Sequence, residues 1–218
     1  VFRPIKDVIV DLEELNLPET IKSFTKKQHW LVLITWAVWS WKSTTLTSLI
    51  EEINQEQQKH IITIEDPIEF IFKNKNSIVE QREVWVHTQS FDNWLKYALR
   101  QAPDVIMVWE MRDRETVEAA MELAETGHLV ISTLHTAWSV QTITRLVNFF
   151  HPELQHSVRY KLWDILFWVL SQRLIPKADW KWRAWIYEIM MMTPWIRNLI
   201  RSWDLVQINN SIEMWRQD

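Results

Sequence analysis

Cysteine is absent from the 218 residues, which excludes a disulfide framework and any thiolate-bound zinc. No apolar run approaches the ~18 residues of a membrane-spanning helix, so direct insertion into a membrane is not expected. Charge of one sign is also missing: 24 Lys and Arg against 28 Asp and Glu leave a formal −4 and a pI near 6.0, which gives no basis for a nucleic-acid partner. Hydrophobic residues make up 47% and charged residues 24%, the balance of an ordinary globular domain. The length suits one large domain, or one domain and a small appendage. A cytoplasmic protein is the expectation.

Glycine is nearly absent too, and this shortage matters most. It occurs once, whereas tryptophan occurs 16 times. Ordinary usage of roughly 7% predicts about 15 glycines in a chain of this length, and the two counts together come close to that figure. The pattern is that of glycines written as tryptophan. Glycine has backbone roles that an indole-bearing residue cannot fill, so the idea is testable position by position.

Alternating strand and helix signals dominate the chain. After a linker-like stretch with a short helix across Asp11 to Phe24, Leu31-Val32-Leu33-Ile34-Thr35 reads as a buried parallel strand. A helix is predicted from Lys42 to about Gln57, a strand from His60 to Glu65 and a helix from Phe91 to Gln101. Next come a strand at Asp104–Val108, a helix at Arg114–Glu125 and a strand at His128–Thr133. This rhythm predicts an α/β core with a mainly parallel sheet. From Thr136 to Ser171 the pattern is mostly helical, with a late strand near Arg183–Ile189 and a helix from Pro194 to Arg201.

Between the first strand and the first long helix lies Trp36-Ala37-Val38-Trp39-Ser40-Trp41-Lys42-Ser43-Thr44. With glycine at the tryptophans it becomes G-A-V-G-S-G-K-S-T, a full match to the phosphate loop in its strand–loop–helix setting. That loop needs bare backbone, because successive N–H groups must converge on the phosphates beside a helix N-terminus. Indoles at Trp36 or Trp41 would resist positive φ and fill the phosphate's space. Lys42 would reach the β- and γ-phosphates of ATP, and the Ser43 hydroxyl would hold Mg²⁺. Taken alone, the same run also reads as an aromatic patch able to stack single-stranded bases.

Three further segments follow in order. Thr63-Ile64-Glu65-Asp66-Pro67-Ile68-Glu69 puts carboxylates at a strand end, where α/β sheets bind ligands. Val105-Ile106-Met107-Val108-Trp109-Glu110-Met111-Arg112-Asp113 is an apolar strand ending in a carboxylate, the form of a Walker B element. Thr126-Gly127-His128-Leu129-Val130-Ile131-Ser132-Thr133-Leu134-His135-Thr136 flanks a strand with two histidines. Together these resemble the Asp box, Walker B element and His box of the type II/IV secretion and pilus ATPase superfamily. Gln81-Arg82-Glu83-Val84, Ala98-Leu99-Arg100-Gln101, Ser171-Gln172-Arg173-Leu174 and Thr193-Pro194-Trp195-Ile196-Arg197-Asn198-Leu199-Ile200-Arg201 resemble the retraction branch, the type IV pilus retraction ATPases. The extension branch usually carries a four-cysteine zinc site, for which this chain has no ligands.

The resemblance implies a RecA-like P-loop NTPase core over 30–150, a mostly helical C-terminal portion over 151–218, and in 1–29 a linker with the remnant of a truncated PAS-like domain. It implies ATP and Mg²⁺, a homohexamer working peripherally at the inner membrane, and an inner-membrane pilus platform protein as partner. Glu110 becomes the residue that activates the attacking water and neighbours the Mg²⁺, with Glu65 assisting. His128 and His135 become candidates for sensing the γ-phosphate. Arg82, Arg100 and Arg112 are candidates for stabilising transition-state charge, within the subunit or across a subunit boundary as an arginine finger, each with an ordinary surface ion pair as its alternative. An assembly or secretion ATPase and a catalytically silent scaffold subunit stay open as other readings. For the tryptophans the resemblance gives one explanation: most stand where the family has glycine or another small residue, as UGA codons read as tryptophan would produce in a lineage that reads UGA as glycine. Real indoles at a dozen such sites would overpack the molecule at ~1–3 kcal/mol each, against a total stability of ~5–15 kcal/mol.

Overall fold

A computed structural model describes residues 8–15, 17–26, 29–36, 42–84, 86, 94, 97, 99–176 and 183–214. The central element is a seven-stranded sheet of order β3-β2-β4-β5-β1-β6-β7. Its strands are β1 (Leu31–Trp36), β2 (His60–Glu65), β3 (Ile78–Glu83), β4 (Val105–Val108), β5 (Leu129–Leu134), β6 (Leu166–Pro176) and β7 (Arg183–Met191). Every pairing is parallel except β6 with β7. β1, β4 and β5 are buried along their whole length, as strands covered by helices on both faces must be.

Two core clusters sandwich the sheet. Strand residues alternate between them: Val32, Ile34 and Trp36 join one, Leu31 and Leu33 the other. The first cluster lies under α1 (Glu19–Thr25) and α2 (Lys42–Glu56). The second lies under α3 (Arg114–Glu125), α4 (Ser139–Asn148), α5 (Pro152–Ile165), α6 (Pro194–Ser202) and α7 (Leu205–Met214). Asp113 caps α3 by accepting from the Thr116 N–H, and Thr193 caps α6 by accepting from Ile196, with Pro194 in the first turn.

The βαβ expectation holds for β1, α2, β2, β4, α3 and β5, within a residue or two at each end. The C-terminal portion is mostly helical, as expected, and β7 stands where the late strand is predicted. The difference lies at Leu166, where helix gives way to strand and β6 joins the sheet. The cause is the apolar run Leu166-Phe167-Trp168-Val169-Leu170: continuous hydrophobicity does not distinguish a buried strand from a helix. β3 was not expected, because an edge strand reading Ile78-Val79-Glu80-Gln81-Arg82-Glu83 has little apolar signature. Most of the helix predicted over Phe91–Gln101 lies outside the described residues, and Leu99–Gln101 forms a 3₁₀ turn.

Two helix ends bear on the tryptophans. After α3, Gly127 at φ +103 donates to the Ala124 carbonyl, and His128 N–H reaches Leu123. After α6, Trp203 at φ 62 and ψ 34 donates to Ile200, and Asp204 N–H reaches Leu199. Both are Schellman closures, in which the residue beyond the helix adopts the left-handed conformation that glycine takes without a Cβ penalty. The sole glycine serves one, and a tryptophan stands in the other. Trp94 points the same way: its indole Nε1 is buried with no hydrogen-bond partner among the described residues, an arrangement costing ~1–3 kcal/mol. With the rest of the chain held constant, Trp203→Gly is expected to be more stable than Trp203→Ala by about 1 kcal/mol in urea unfolding, the reverse of the order inside a helix. Alanine proving equal or better would remove the left-handed strain argument.

Candidate nucleotide site

Parallel pairing brings the carboxyl ends of five strands to one edge, the place where open α/β sheets bind ligands. Pairing continues level across them: Ile64 opposite Val108, Val108 opposite Ser132, Thr35 opposite Leu134, and Trp36 opposite Gln172. His135, Trp36 and Gln172 therefore stand level at this edge, with Glu110 one residue and Glu65 two residues below them. α2 begins at Lys42 beside it, with the first-turn N–H groups and the positive end of the helix dipole directed to this edge.

Glu110 follows β4 and is 8% exposed. Its Oε2 meets Arg112 Nε at 2.9 Å and its Oε1 meets His135 Nε2 at 3.1 Å. Arg112 extends the cluster to Asp66, 3.5 Å away. The backbone around Glu110 is fixed by Met111 N–H donating to the Thr133 carbonyl at 3.1 Å, and by the Thr133 hydroxyl donating to the Trp109 carbonyl. Such a carboxylate is held in one place and can accept a proton from a water above it.

Glu65 is fully buried at the end of β2. Its Oε1 accepts from the Thr63 hydroxyl at 2.7 Å and from Gln81 Nε2 at 2.9 Å. Burial pushes its carboxyl up to about 6, against the opposing pull of the Gln81 and Thr63 hydrogen bonds. Gln81 in turn donates to the Phe70 carbonyl and accepts from the Phe72 N–H, so β3 and the loop after β2 hold Glu65 in place. Sequence reasoning missed Gln81 and Thr63 as supports. Thr63 lies two residues before Glu65, on the same strand face, and that spacing was the available signal.

Trp36, buried at the end of β1, stands edge-on to His135 with ring centroids 6.2 Å apart. The indole is packed at this edge beside the His135 ring. Thr44 is buried in the first turn of α2. Ala37, Val38, Trp39, Ser40 and Trp41 lie outside the described residues, and Lys42 and Ser43 are described as the backbone that opens α2.

Two predicted site residues are not brought here. His128 precedes β5, at the opposite edge of the sheet from His135, roughly 20 Å away along six strand residues; its Nδ1 lies 2.9 Å from the Leu123 carbonyl and 3.2 Å from the Thr126 hydroxyl. Arg100, exposed in the turn leading into β4, lies over the Tyr97 ring at 5.9 Å, also at that far edge. Both were read from position in a motif, and a motif spanning a whole strand has one end at each edge. Arg82 pairs with Glu80 at 2.6 Å on the edge strand β3.

Comparison with known proteins fits this geometry. The sequence profile of the type II/IV secretion system protein family matches residues 7–216. The chain belongs to this family. It is 44% identical over 213 residues to the twitching motility protein of Neisseria gonorrhoeae, covering 98% of this chain and 57% of that protein. It is also 44% identical over 213 residues to the type IV pilus retractation ATPase PilT of Pseudomonas aeruginosa, covering 98% of this chain and 62% of the relative. Among solved structures, the pilus retraction motor PilT with bound ADP superposes with a TM-score of 0.92 at 47% identity, over 97% of this chain and 62% of that one. The fold is the RecA-like ATPase fold of these relatives, and the chain spans about three-fifths of their length.

The buried carboxyl of Glu65 has a measurable consequence. Its folded-state value of about 6 lies above the ordinary 4.5, so the folded chain keeps a proton that the unfolded chain releases first. Stability therefore falls as pH rises from about 4.5 to about 6 and is level above that. The cost is roughly 2 kcal/mol. Urea unfolding across this window is expected to show that decline in the parent and its loss in Glu65→Gln, which keeps the accepting oxygen. Equal pH slopes in the two proteins would contradict the shift.

Proposed function

We propose that this chain is the motor portion of a type IV pilus retraction ATPase, hydrolysing ATP with Mg²⁺ as a homohexamer. The single observation that carries the reading is Glu110, held by Arg112 and His135 at the strand end beside the N-terminus of α2. In this reading Lys42 neutralises the β- and γ-phosphates, while Glu110 takes the proton of the attacking water. Glu65, with a carboxyl near 6, assists from the neighbouring strand, and Arg112 holds Glu110 until charge develops on the phosphoryl group. Mg²⁺ fits the donors: the edge offers hard oxygens, and no cluster of three or more metal-ligating side chains occurs among the described residues. An ion held by Ser43 with Glu110 nearby would keep waters and phosphate oxygens as its other ligands, as Mg²⁺ prefers. It would supply charge neutralisation on the phosphates.

Retraction rather than secretion is favoured by degree of likeness. Identity is 44% to the twitching motility protein and to PilT, and 35–37% over shorter spans to the type II secretion ATPases. The motor would act in the cytoplasm, peripherally at the inner membrane, on a pilus platform protein there. No helix among the described residues is long and apolar enough to cross a membrane.

The reading requires glycine at Trp36, Trp39 and Trp41, and by extension at most of the sixteen tryptophans. The left-handed Trp203 and the buried indole of Trp94 support this on physical grounds independent of the phosphate loop. Intact mass and absorbance at 280 nm of protein from its native source are expected to match a nearly tryptophan-free chain; the full tryptophan absorbance would overturn the recoding.

The full chain carrying glycine at those sixteen positions is expected to hydrolyse ATP. Glu110→Gln should lower turnover at least ~10²-fold while sparing ADP affinity, and Lys42→Ala should abolish both. Turnover indifferent to Lys42 and Glu110 would favour a silent scaffold subunit.

A further inference from the structure

β6 reaches the same edge as the carboxylates, and Gln172 on it has no place in the chemistry above. Gln172 is 3% exposed and lies directly beside Trp36 on β1. Its side chain faces α2, where Thr45 is also 3% exposed. The Thr45 hydroxyl sits in the fork of the amide, donating to Oε1 at 3.2 Å and accepting from Nε2 at 3.0 Å. Thr45 belongs to the first turn of α2, three residues after Lys42 and two after Ser43. The preceding residue, Ser171, points to the other face. There it accepts from the Thr35 hydroxyl at 3.0 Å and lies 3.3 Å from the hydroxyl of Ser139, which opens α4. Glu188 on β7 accepts from the Ser139 N–H at 2.8 Å.

Consecutive residues of one strand thus tether helices on both faces of the sheet, at the level of the nucleotide edge. The tether to α2 is the informative one. An amide buried in an apolar layer is costly unless paired, and an aliphatic residue would pack there without that cost. A fork closed on one hydroxyl fixes the rotation and height of a helix turn in a way that apolar contact does not.

We infer that Gln172 is a positioning residue of the nucleotide site, acting through Thr45 to set the first turn of α2, and so the backbone N–H groups, Lys42 and Ser43, against the phosphates. The inference rests on the proposed ATPase reading. Displacement of a reacting group by about 1 Å costs on the order of 10²-fold in rate, so loss of the tether should be read mainly in turnover.

The test uses the full chain carrying glycine at the sixteen tryptophan positions, with Gln172→Leu, Thr45→Val and the double variant. Turnover, KM and the affinity for a fluorescent ADP analogue are measured alongside thermal unfolding. The expected result is a tenfold to hundredfold fall in kcat for Gln172→Leu, with Tm within a few degrees of the parent, and a double variant no worse than the worse single one. Full turnover and unchanged ADP affinity in Gln172→Leu would overturn the inference. So would effects of the two singles that multiply, since independent residues do that. If the parent binds the ADP analogue without hydrolysing ATP, the ATPase reading fails, and Gln172 is judged by whether its variant weakens that binding and by the same cycle on affinity. A parent that neither binds nor hydrolyses overturns both.

Discussion

Parallel pairing of β1 with β5 on one side and β6 on the other is the constraint on which the site depends. A parallel sheet sends every carboxyl end to the same edge, and the level register of β2, β4, β5, β1 and β6 decides which residues meet there. Were β4 displaced by one residue against β5, every β4 side chain would change face and the Glu110–His135 contact would be lost. The register is held by burial. β1, β4 and β5 have no exposed residue, and each fully buried Leu or Ile contributes ~1.5–3 kcal/mol only in the correct phase.

The two carboxylates at this edge are in contrasting environments. Glu110 has a guanidinium and an imidazole against its oxygens, which hold the side chain in place. Glu65 is enclosed by apolar strands with neutral donors, and burial prevails over them. Burial lifts the Glu65 carboxyl to about 6, within reach of proton exchange near neutrality. In the proposed ATPase reading Glu110, fixed by its two partners, is the base, and Glu65 is a proton reservoir on the adjacent strand.

Much of the architecture was legible in the residues. β1, β2, β4 and β5 are short apolar runs ending in polar or charged residues, and α2 and α3 have helical spacing with recognisable starts. Glu65, Glu110, Arg112 and His135 stand out because they lie in segments that resemble the family's Asp box, Walker B element and His box. What stayed hidden had no local signal. β3 is polar because it is an edge, β6 opens on the uninterrupted apolar run over 166–170, and the Gln172–Thr45 tether joins residues 127 positions apart. Arg100 and His128 lie at the far edge of their own subunit for a related reason. Sequence order gives membership in a motif, while strand direction, which only pairing reveals, decides the edge.

The tryptophans place the last constraint. Had the indoles been selected for packing, they would gather at buried positions with partners for their N–H groups. Trp36, Trp94, Trp109 and Trp168 are buried, but Trp94 buries a donor with no partner among the described residues. Trp203 ends a helix in the left-handed conformation, Trp195 is exposed in the first turn of α6, and Trp36, Trp39 and Trp41 fall in the run that resembles a phosphate loop. No single property of tryptophan unites these positions. Small size and backbone freedom unite them, and both are properties of glycine. The same substitution that would relieve the end of α6 would open the space beside His135 at Trp36, so the stability of this fold and its capacity to bind a phosphate depend on the same change.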